Sequence, residues 1–312
     1  MIKKWSMSYP AVNGTEQRRA YVYLPTMYEA QPERRFPVLY MFDGQNVFFN
    51  EDATYGKSWE MVRRAGSRKG KESDMYTFDS RVRYSETDEE GNLSVVGIMN
   101  YLQDCSTFQS EDLKLGISYL NEEKRAWWLS GWQIEILRQP HFGERIRIST
   151  WPYGFKGIYG YRNFTIEDEM GNPLVRADST WFYYDLEKGC PVRVPESQLE
   201  GYQIEDKPLA MPPAPKKIRL PEMYETAAPV TVERHHLDTN RHVNNAQYVA
   251  IARELLPVDF ALGELRVEYR KAAVLGDVMY PKLAQVPEGY VVSLQDAEGQ
   301  VYANLWLART GL

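Results

Sequence analysis

The chain has 312 residues, which is enough for about two domains of ordinary size. Its composition, 43% hydrophobic and 26% charged, is typical of a soluble globular protein, and its net charge of −6 argues against a general nucleic-acid binder. Two cysteines provide no disulfide framework, and no apolar run reaches the length of a signal-peptide core or a membrane span. We therefore expect a cytoplasmic protein that binds no nucleic acid and has no membrane span.

The first 74 residues differ in character from the rest. Two apolar stretches, RRAYVYLP (18–25) and RFPVLYMFDG (35–44), predict strands separated by a turn rich in proline and charge. Residues 62–74 are basic and lack apolar periodicity, which predicts a flexible linker. We therefore predict a separate unit at 1–61, a linker at 62–74 and a new folded segment from Met75.

From Met75 onward the chain contains an internal repeat. Each copy has a strand-like segment, a helical pattern and then four strand-like runs, which predicts an α+β fold with a helix packed on an antiparallel sheet. The predicted buried stripes are Val95, Ile98, Leu102 and Cys105 behind an N-cap at Ser94 in the first helix, and Val249, Ala252 and Leu256 in the second. We predict an N-terminal half at 75–206, a Pro-rich linker at 207–221 and a C-terminal half at 222–312.

The second helix is preceded by an unusually polar stretch, DTNRHVNNAQY (238–248). Residues 88–92 of the first half (DEEGN) align with residues 238–242 of the second (DTNRH), so only the second copy has a histidine. Clusters of Asn and Asp are typical of turns and helix N-caps, which is one interpretation. A duplicated scaffold with a histidine in one copy favours an active site. A metal site is disfavoured, because the histidines lack ligand spacing and no cysteine is near.

Two parts of the sequence resemble the acyl-ACP thioesterase family. LDTNRHVNNAQYVAIARELL (237–256) is similar to the signature of that family, and YSETDEEGNLSVVGIMNYLQD (84–104) with YGFKGIYGYRNF (153–164) is similar to its N-terminal repeat. The resemblance covers about residues 75–310. It implies a double hotdog fold and an enzyme that hydrolyses the thioester between a fatty acyl chain and acyl carrier protein. The partner implied is acyl carrier protein, and no cofactor is implied.

The resemblance also implies that the catalytic residues are Asp238, Asn240 and His242. Attack of water on a thioester needs a base and a hydrogen-bond donor to the carbonyl oxygen. Histidine, with an ordinary pKa of about 6.5, suits the first role, and the Asn240 amide suits the second. Asp238 either orients His242 or is itself the base. Backbone N–H groups around Asn244 and Asn245, at the positive end of the helix, are candidates for stabilising the oxyanion.

Two further positions bear on the site. Glu254 lies twelve residues after His242, belongs to the same signature and is expected to support the site. Plant members of the family have a Glu-Cys pair after the next strand, whereas this sequence has Ala272 and Ala273. A cysteine nucleophile is therefore excluded at that position, and a direct attack by water remains.

The acyl pocket is expected in the first half, between its helix and sheet. The candidate lining residues, each of which could equally be plain core, are Val95, Ile98, Met99, Leu102, Trp132 and Trp151. Acyl carrier protein is acidic, so we expect a basic docking face. The candidates for that face are Lys216, Lys217 and Arg219, or Arg81 and Arg83.

Three other functions compete with this interpretation. A hotdog acyl-CoA thioesterase needs a basic cleft for the nucleotide, and none is evident in the sequence. A hotdog dehydratase takes catalytic groups from facing helices, which leaves the Asn-rich motif unexplained. A non-catalytic acyl-binding module has no need of the catalytic set. The oligomeric state is open, with a homodimer as one candidate.

Residues 1–61 resemble the N-terminal strands of α/β-hydrolase esterases, with YMFDGQN (40–46) similar to their loop on the oxyanion side. The Gly-x-Ser-x-Gly motif of such enzymes is absent from the chain, so we expect no hydrolase activity from this fragment. We interpret it as a remnant of a fused or truncated neighbouring gene. A lid or docking extension is the second interpretation.

Overall fold

A computed structural model describes the backbone of residues 2–11 and 14–23, and residues 75–310 except 203, 205, 206 and 216. The chain divides into two units, Met1–Ser73 and Asp74–Leu312. In the first unit, β1 (Ile2–Ala11) pairs antiparallel with β2 (Gly14–Tyr23), from Ile2 opposite Tyr23 to Ala11 opposite Gly14. Strand β2 contains most of the strand predicted at 18–25, and β1 was not predicted. The predicted strand at 35–44 and the predicted linker lie outside the described residues.

The second unit repeats one order of elements. Its first half contains β3 (Tyr76–Arg81), α1 (Val95–Asp112), α2 (Ile117–Glu122), β4 (Arg125–Ile136), β5 (Arg145–Lys156), β6 (Tyr159–Glu167), β7 (Pro173–Asp185), β8 (Cys190–Pro191) and α3 (Glu196–Gly201). Its second half contains β9 (Glu225–Thr226), β10 (Val230–Thr231), α4 (Asn245–Arg253), β11 (Leu262–Tyr269), β12 (Val278–Val286), β13 (Gly289–Gln295) and β14 (Val301–Arg309). Across the described residues, no helix combines the length and apolar character needed to cross a membrane.

Twelve of the described strands form one antiparallel sheet, ordered β10-β12-β13-β14-β11-β4-β7-β6-β5-β3, with β8 beside β7 and β9 beside β12. The order is symmetric about the central pair, in which Trp132 of β4 lies opposite Val267 of β11. Gly131 allows this pair to approach, because a Cβ at that position would lie 2.7 Å from the carbonyl oxygen of Val267. The predicted α+β fold with two tandem helix-on-sheet halves is confirmed.

Both long helices begin at a side-chain cap and bury the predicted stripes. The Ser94 side chain accepts a hydrogen bond from the Gly97 N–H at 3.0 Å, and Asn244 accepts one from the Ala246 N–H at 2.9 Å. All the predicted stripe residues are buried, although Leu256 lies beyond the end of α4. These residues belong to a single hydrophobic cluster that includes both helices and both halves of the sheet. The two halves therefore share one core.

The loops before the two helices form the same turn. The N–H of Asp88 donates to the carbonyl oxygen of Asn92, and the N–H of Asp238 donates to that of His242, both at 2.8 Å. Each turn needs one left-handed residue, which is Gly91 (φ +78°) in the first half and Arg241 (φ +61°) in the second. Glycine takes this conformation easily, whereas a residue with a Cβ is strained.

Segment 207–221 crosses the face of the sheet opposite to the helices. The Leu209 N–H donates to Asn163 Oδ1 at 2.8 Å, Gln133 Nε2 donates to the Pro212 carbonyl oxygen at 2.6 Å, and Asn304 Nδ2 donates to the Ile218 carbonyl oxygen at 3.3 Å. The three anchoring side chains belong to β6, β4 and β14 in turn. The segment therefore joins the halves along the face of the sheet that the helices do not cover.

The two turns predict opposite effects of substitution at their left-handed residues. Arg241→Gly should raise the free energy of unfolding by about 1 kcal/mol, because it removes the strain of a Cβ at positive φ. Gly91→Ala should lower it by a similar amount, although a Cβ there meets no atom within 4 Å. Urea unfolding of the two variants and the wild type measures both effects. Equal shifts of the same sign would contradict this account of the turns.

The two cysteines predict a difference in reactivity. Cys105 lies on the buried stripe of α1 with no exposed surface, and burial raises the pKa of its thiol to about 12. Cys190 is exposed on β8. Because the thiolate is the reactive form, a thiol reagent at pH 8 should modify only Cys190 in the native protein and both cysteines after unfolding. Peptide mass spectrometry assigns the sites, and rapid native modification of Cys105 would contradict its place in the core.

Candidate functional site

A cavity of about 590 Å³ lies in the second unit and is lined by residues of both halves. Its first-half walls come from α1, α2, the beginning of β4, the adjoining parts of β5, β6 and β7, and Tyr202 after α3. From the described part of the second half, four residues line it, which are Asp238, Thr239, Asn240 and His242. The structure therefore brings the three predicted catalytic residues to one end of a cavity built by the other half.

The Asp238 carboxylate holds the turn together. Its Oδ1 accepts hydrogen bonds from the backbone N–H of Asn240 at 2.8 Å and of His242 at 3.3 Å. In the first half, Asp88 Oδ1 accepts one from the Asn92 N–H at 2.8 Å, so the aspartate has the same structural task in both copies. Neither Asp238 oxygen bonds to the His242 ring among the described residues.

An aromatic wall from the first half positions the His242 ring. The ring meets Trp128 edge to face, with centroids 5.9 Å apart and an interplanar angle of 79°. Trp128 in turn stacks on Tyr184 at 3.8 Å. The imidazole nitrogens have no hydrogen-bond partner among the described residues, and the exposed Asn240 amide likewise has none. The polar atoms of both side chains are therefore available to bind a ligand in the cavity.

The predicted oxyanion donors at the start of α4 lie apart from the cavity. The Asn244 N–H donates to the His236 carbonyl oxygen at 2.8 Å, and the Asn244 side chain caps the Ala246 N–H. Asn245 Nδ2 reaches Gln103 Oε1 of α1 at 3.5 Å. Neither asparagine is among the lining residues: Asn244 is engaged at the start of the helix through its N–H and side chain, and the Asn245 side chain joins α4 to α1.

Glu254 also lies away from the site. It is exposed at the C-cap of α4, and the nine-residue helix places it about 13 Å from the helix start. A carboxylate also offers no donor to an oxyanion. The structure therefore does not bring Glu254 to the cavity with the other predicted site residues.

None of the six predicted acyl-pocket residues lines this cavity. Val95, Ile98, Met99, Leu102 and Trp132 are all at most 8% exposed and belong to the shared core. Trp151 points to the other face of the sheet, where its Nε1 donates to the Lys207 carbonyl oxygen at 3.2 Å. The physical reason is that the most apolar side chains pack against one another and leave no free space.

A second stripe of α1 faces the cavity instead. Gln103, Ser106, Thr107 and Ser110 all line it, at the spacing i, i+3, i+4, i+7 of one helical face. The Ser106 and Ser110 hydroxyls donate to carbonyl oxygens one turn earlier, at 2.8 and 2.9 Å, which lowers the polarity of the wall. This run of small polar residues beside the apolar stripe is the signal that sequence reasoning missed.

Arg162 is a buried cation in the cavity wall. It is 8% exposed, its Nη1 donates to Gln109 Oε1 and, at 3.2 Å, to Thr150 Oγ1, and its guanidinium lies 5.3 Å from the Tyr202 ring centroid. Burial lowers the pKa of the guanidinium, which stays charged at neutral pH. No carboxylate lies within ion-pair distance of it among the described residues. The sequence offered no signal for this group.

The position equivalent to the plant cysteine adjoins the candidate site. Ala273 is fully buried, its carbonyl oxygen accepts the Val243 N–H at 2.9 Å, and its N–H donates to the Tyr248 hydroxyl at 3.0 Å. Burial raises the pKa of Tyr248 to about 12, so this hydroxyl stays neutral. The backbone of this segment braces the turn, and its alanine side chain supplies no reactive group. Within the described residues, no group of three or more His, Cys, Asp or Glu side chains could hold a metal ion.

Comparisons with known proteins identify relatives of this chain. Curated relatives include a chloroplastic acyl-[acyl-carrier-protein] hydrolase of Cuphea viscosissima, 24% identical over 67% of this chain and 54% of the relative. Another is the oleoyl-acyl carrier protein thioesterase 1 of Arabidopsis thaliana, also 24% identical, over 64% of this chain and 60% of the relative. The chain thus spans little more than half the length of these curated relatives.

Solved structures show the same fold. An acyl-ACP thioesterase from Bacteroides thetaiotaomicron matches with a TM-score of 0.69 and 22% identity, over 75% of this chain and 97% of that one. The 12:0-ACP thioesterase from Umbellularia californica matches with a TM-score of 0.67 and 17% identity, over 77% and 98%. The predicted double hotdog fold is therefore confirmed.

Family models extend the agreement to the sequence. The model of the acyl-ACP thioesterase N-terminal domain matches residues 73–202, and that of the C-terminal domain matches residues 221–303. Together they cover about two thirds of the chain, in the order of the two halves. The chain therefore belongs to the acyl-ACP thioesterase family.

Proposed function

We propose that this protein hydrolyses the thioester of fatty acyl-acyl carrier protein and releases free fatty acid. The observation that carries the proposal is the cavity in which Asp238, Asn240 and His242 of one half meet the aromatic and helical walls of the other. A thioester must present its carbonyl carbon to water while its acyl chain is held away from solvent. A cavity in which Asn240 and His242 lie beside aromatic walls meets both needs.

In the proposed reaction, His242 is the general base. It removes a proton from a water molecule, whose oxygen attacks the thioester carbonyl carbon. The Asn240 amide donates a hydrogen bond to the carbonyl oxygen as negative charge develops there. When the C–S bond breaks, protonated His242 returns the proton to the leaving thiolate. Asp238 keeps the turn in shape, and its negative charge favours the transient imidazolium.

The acyl chain lies along the first-half walls in this proposal. Its surroundings are the polar stripe of α1 and the cavity-lining rings Trp127, Trp128, Phe155 and Trp181. These residues replace the six core residues as the proposed acyl pocket. The proposed domains remain 75–206 for this wall and 222–312 for the catalytic turn, joined by 207–221.

Acyl carrier protein is the proposed partner. Lys217 and Arg219 are exposed and remain candidates for its docking face, whereas Lys216 lies outside the described residues. Arg81 and Arg83 are weaker candidates, because Arg81 Nε donates to the Gly143 carbonyl oxygen and Arg83 pairs with Glu86 at 3.1 Å. The cytoplasmic location and the homodimer stay predictions.

Loss of either ionisable group of the turn should abolish most of the activity. His242→Ala removes the base, and Asp238→Asn removes the charge that favours the imidazolium, so each should lower kcat about 100-fold or more while the protein stays folded. Hydrolysis of a panel of acyl-ACPs and acyl-CoAs measures the effect and identifies the carrier. Full activity of both variants would refute the site.

Asp88→Asn is the matched control, since Asp88 makes the same turn in the half without a histidine. It should affect stability as much as Asp238→Asn does and leave kcat near the wild-type value. An equal loss of kcat in the two variants would mean that Asp238 has only a structural role.

The first unit is proposed to be a non-catalytic remnant of an esterase-like fragment. Among the described residues, those that line the cavity all have numbers of 103 or higher, and the family match begins at residue 73. Deletion of residues 1–70 should therefore leave kcat/KM for acyl-ACP nearly unchanged. Complete loss of activity in a folded deletion variant, checked by circular dichroism, would favour a lid or docking extension.

A further inference from the structure

Arg241 is the strained residue of the candidate catalytic turn. It adopts φ +61° between Asn240 and His242, and the sister turn has a glycine at the equivalent position. Glycine would adopt this backbone conformation with less strain than arginine, so the turn itself does not require an arginine. Strain of this kind is typical of sites where a side chain contacts a ligand.

Within residues 75–310, as far as they are described, no side-chain contact accounts for this arginine. Its side chain is exposed, and it has neither an ion pair nor a hydrogen bond among the described residues. The nearest acid in sequence, Asp238, directs Oδ1 to the backbone of the turn. The guanidinium is therefore a positive charge without a partner in the part of the chain that the structure describes, on a chain whose net charge is −6.

The position of Arg241, between two residues that line the cavity, indicates which part of the substrate its charge faces. Its neighbours on both sides line the cavity, whereas Arg241 itself does not, so it lies at the outer side of the turn. Its Cα is about 3.8 Å from the Cα of each neighbour. A thioester held by Asn240 and His242 has its acyl chain inside the cavity and its carrier outside. The carrier end is anionic, through the phosphodiester of its pantetheine arm and the acidic side chains of the carrier protein.

We propose that Arg241 binds the anionic carrier end of the substrate while its two neighbours act on the thioester. The inference rests on the proposed function and adds to it a specificity-determining residue. A guanidinium suits this task because its planar fork matches phosphate and carboxylate oxygens and its charge persists at any physiological pH. Contact with the carrier affects binding more than chemistry, so its effect falls on KM.

The test compares three thioesters that share one acyl chain. Acyl-pantetheine has a neutral carrier end, acyl-phosphopantetheine adds the phosphate, and acyl-ACP adds the acidic protein. The variant is Arg241→Asn, because asparagine tolerates positive φ and keeps the turn. We expect the preference for the anionic substrates over acyl-pantetheine, as a ratio of kcat/KM, to fall about tenfold through KM. Because each variant is compared with itself, damage to the catalytic turn cancels in the ratio.

The three substrates also identify the anion. A fall with acyl-phosphopantetheine assigns the phosphate, and a fall with acyl-ACP alone assigns carboxylates of the carrier protein. Arg145→Asn is the control, since Arg145 is an exposed arginine at the start of β5 that neither lines the cavity nor belongs to the candidate docking face. It should leave the ratios unchanged. An unchanged ratio in Arg241→Asn, or an equal fall in both variants, would overturn the inference.

Failure of the proposed function has a different signature. In that case the wild type hydrolyses none of the three substrates. Binding of pantetheinylated carrier protein, measured by calorimetry at low and high salt, then tests Arg241 without catalysis. A weaker and less salt-dependent interaction in Arg241→Asn supports the inference, and identical binding refutes it.

Discussion

Antiparallel hydrogen bonding between β4 and β11 joins the two half-sheets into one, and the geometry of the site follows from it. Each half alone has a helix on a curved sheet and a turn before the helix. The central pairing relates the two halves by an approximate twofold axis. The sheet then runs from β3 at one edge to β10 at the other. The turn of the second half then lies against the walls of the first. The contact between the rings of Trp128 on β4 and His242 of the other half results from this pairing.

Duplication separates the tasks that a single copy would have to combine. In both copies an aspartate organises the turn through backbone N–H groups, and a polar cap starts the helix. In the first copy, α1 forms one wall of the cavity. Its apolar stripe packs in the core, and its polar stripe faces the cavity. The second copy adds Asn240 and His242 to an otherwise similar turn. The stretch that first suggested either a cap or a catalyst is therefore a cap at 244–246 and a candidate catalyst at 238–242.

Local patterns predicted much of this arrangement. The buried stripes of both helices, the Ser94 cap and the repeat follow from period and capping chemistry, which act within one element. The pocket lining could not be predicted in the same way, because it depends on which faces of several strands and helices meet across the sheet. The pocket prediction relied on hydrophobicity and selected the most apolar residues, and five of those six residues pack in the core. Arg162 and Trp128 carry no local pattern, so only the fold brings them to the cavity. Glu254 was expected at the site from the resemblance to the family signature, and the length of α4 places it at the far end of that helix.

The geometry of the turn also distinguishes the two candidates for the base. Asp238 Oδ1 already accepts two backbone hydrogen bonds, from the N–H groups of Asn240 and His242, and these bonds hold the turn. Moving Asp238 toward water would therefore break the turn that places Asn240 and His242. The His242 ring has no such engagement among the described residues, and the wall of Trp128 limits its rotation without occupying a nitrogen. His242 can therefore accept and return a proton while the turn stays intact, which favours it as the base and Asp238 as the fixed charge beside it.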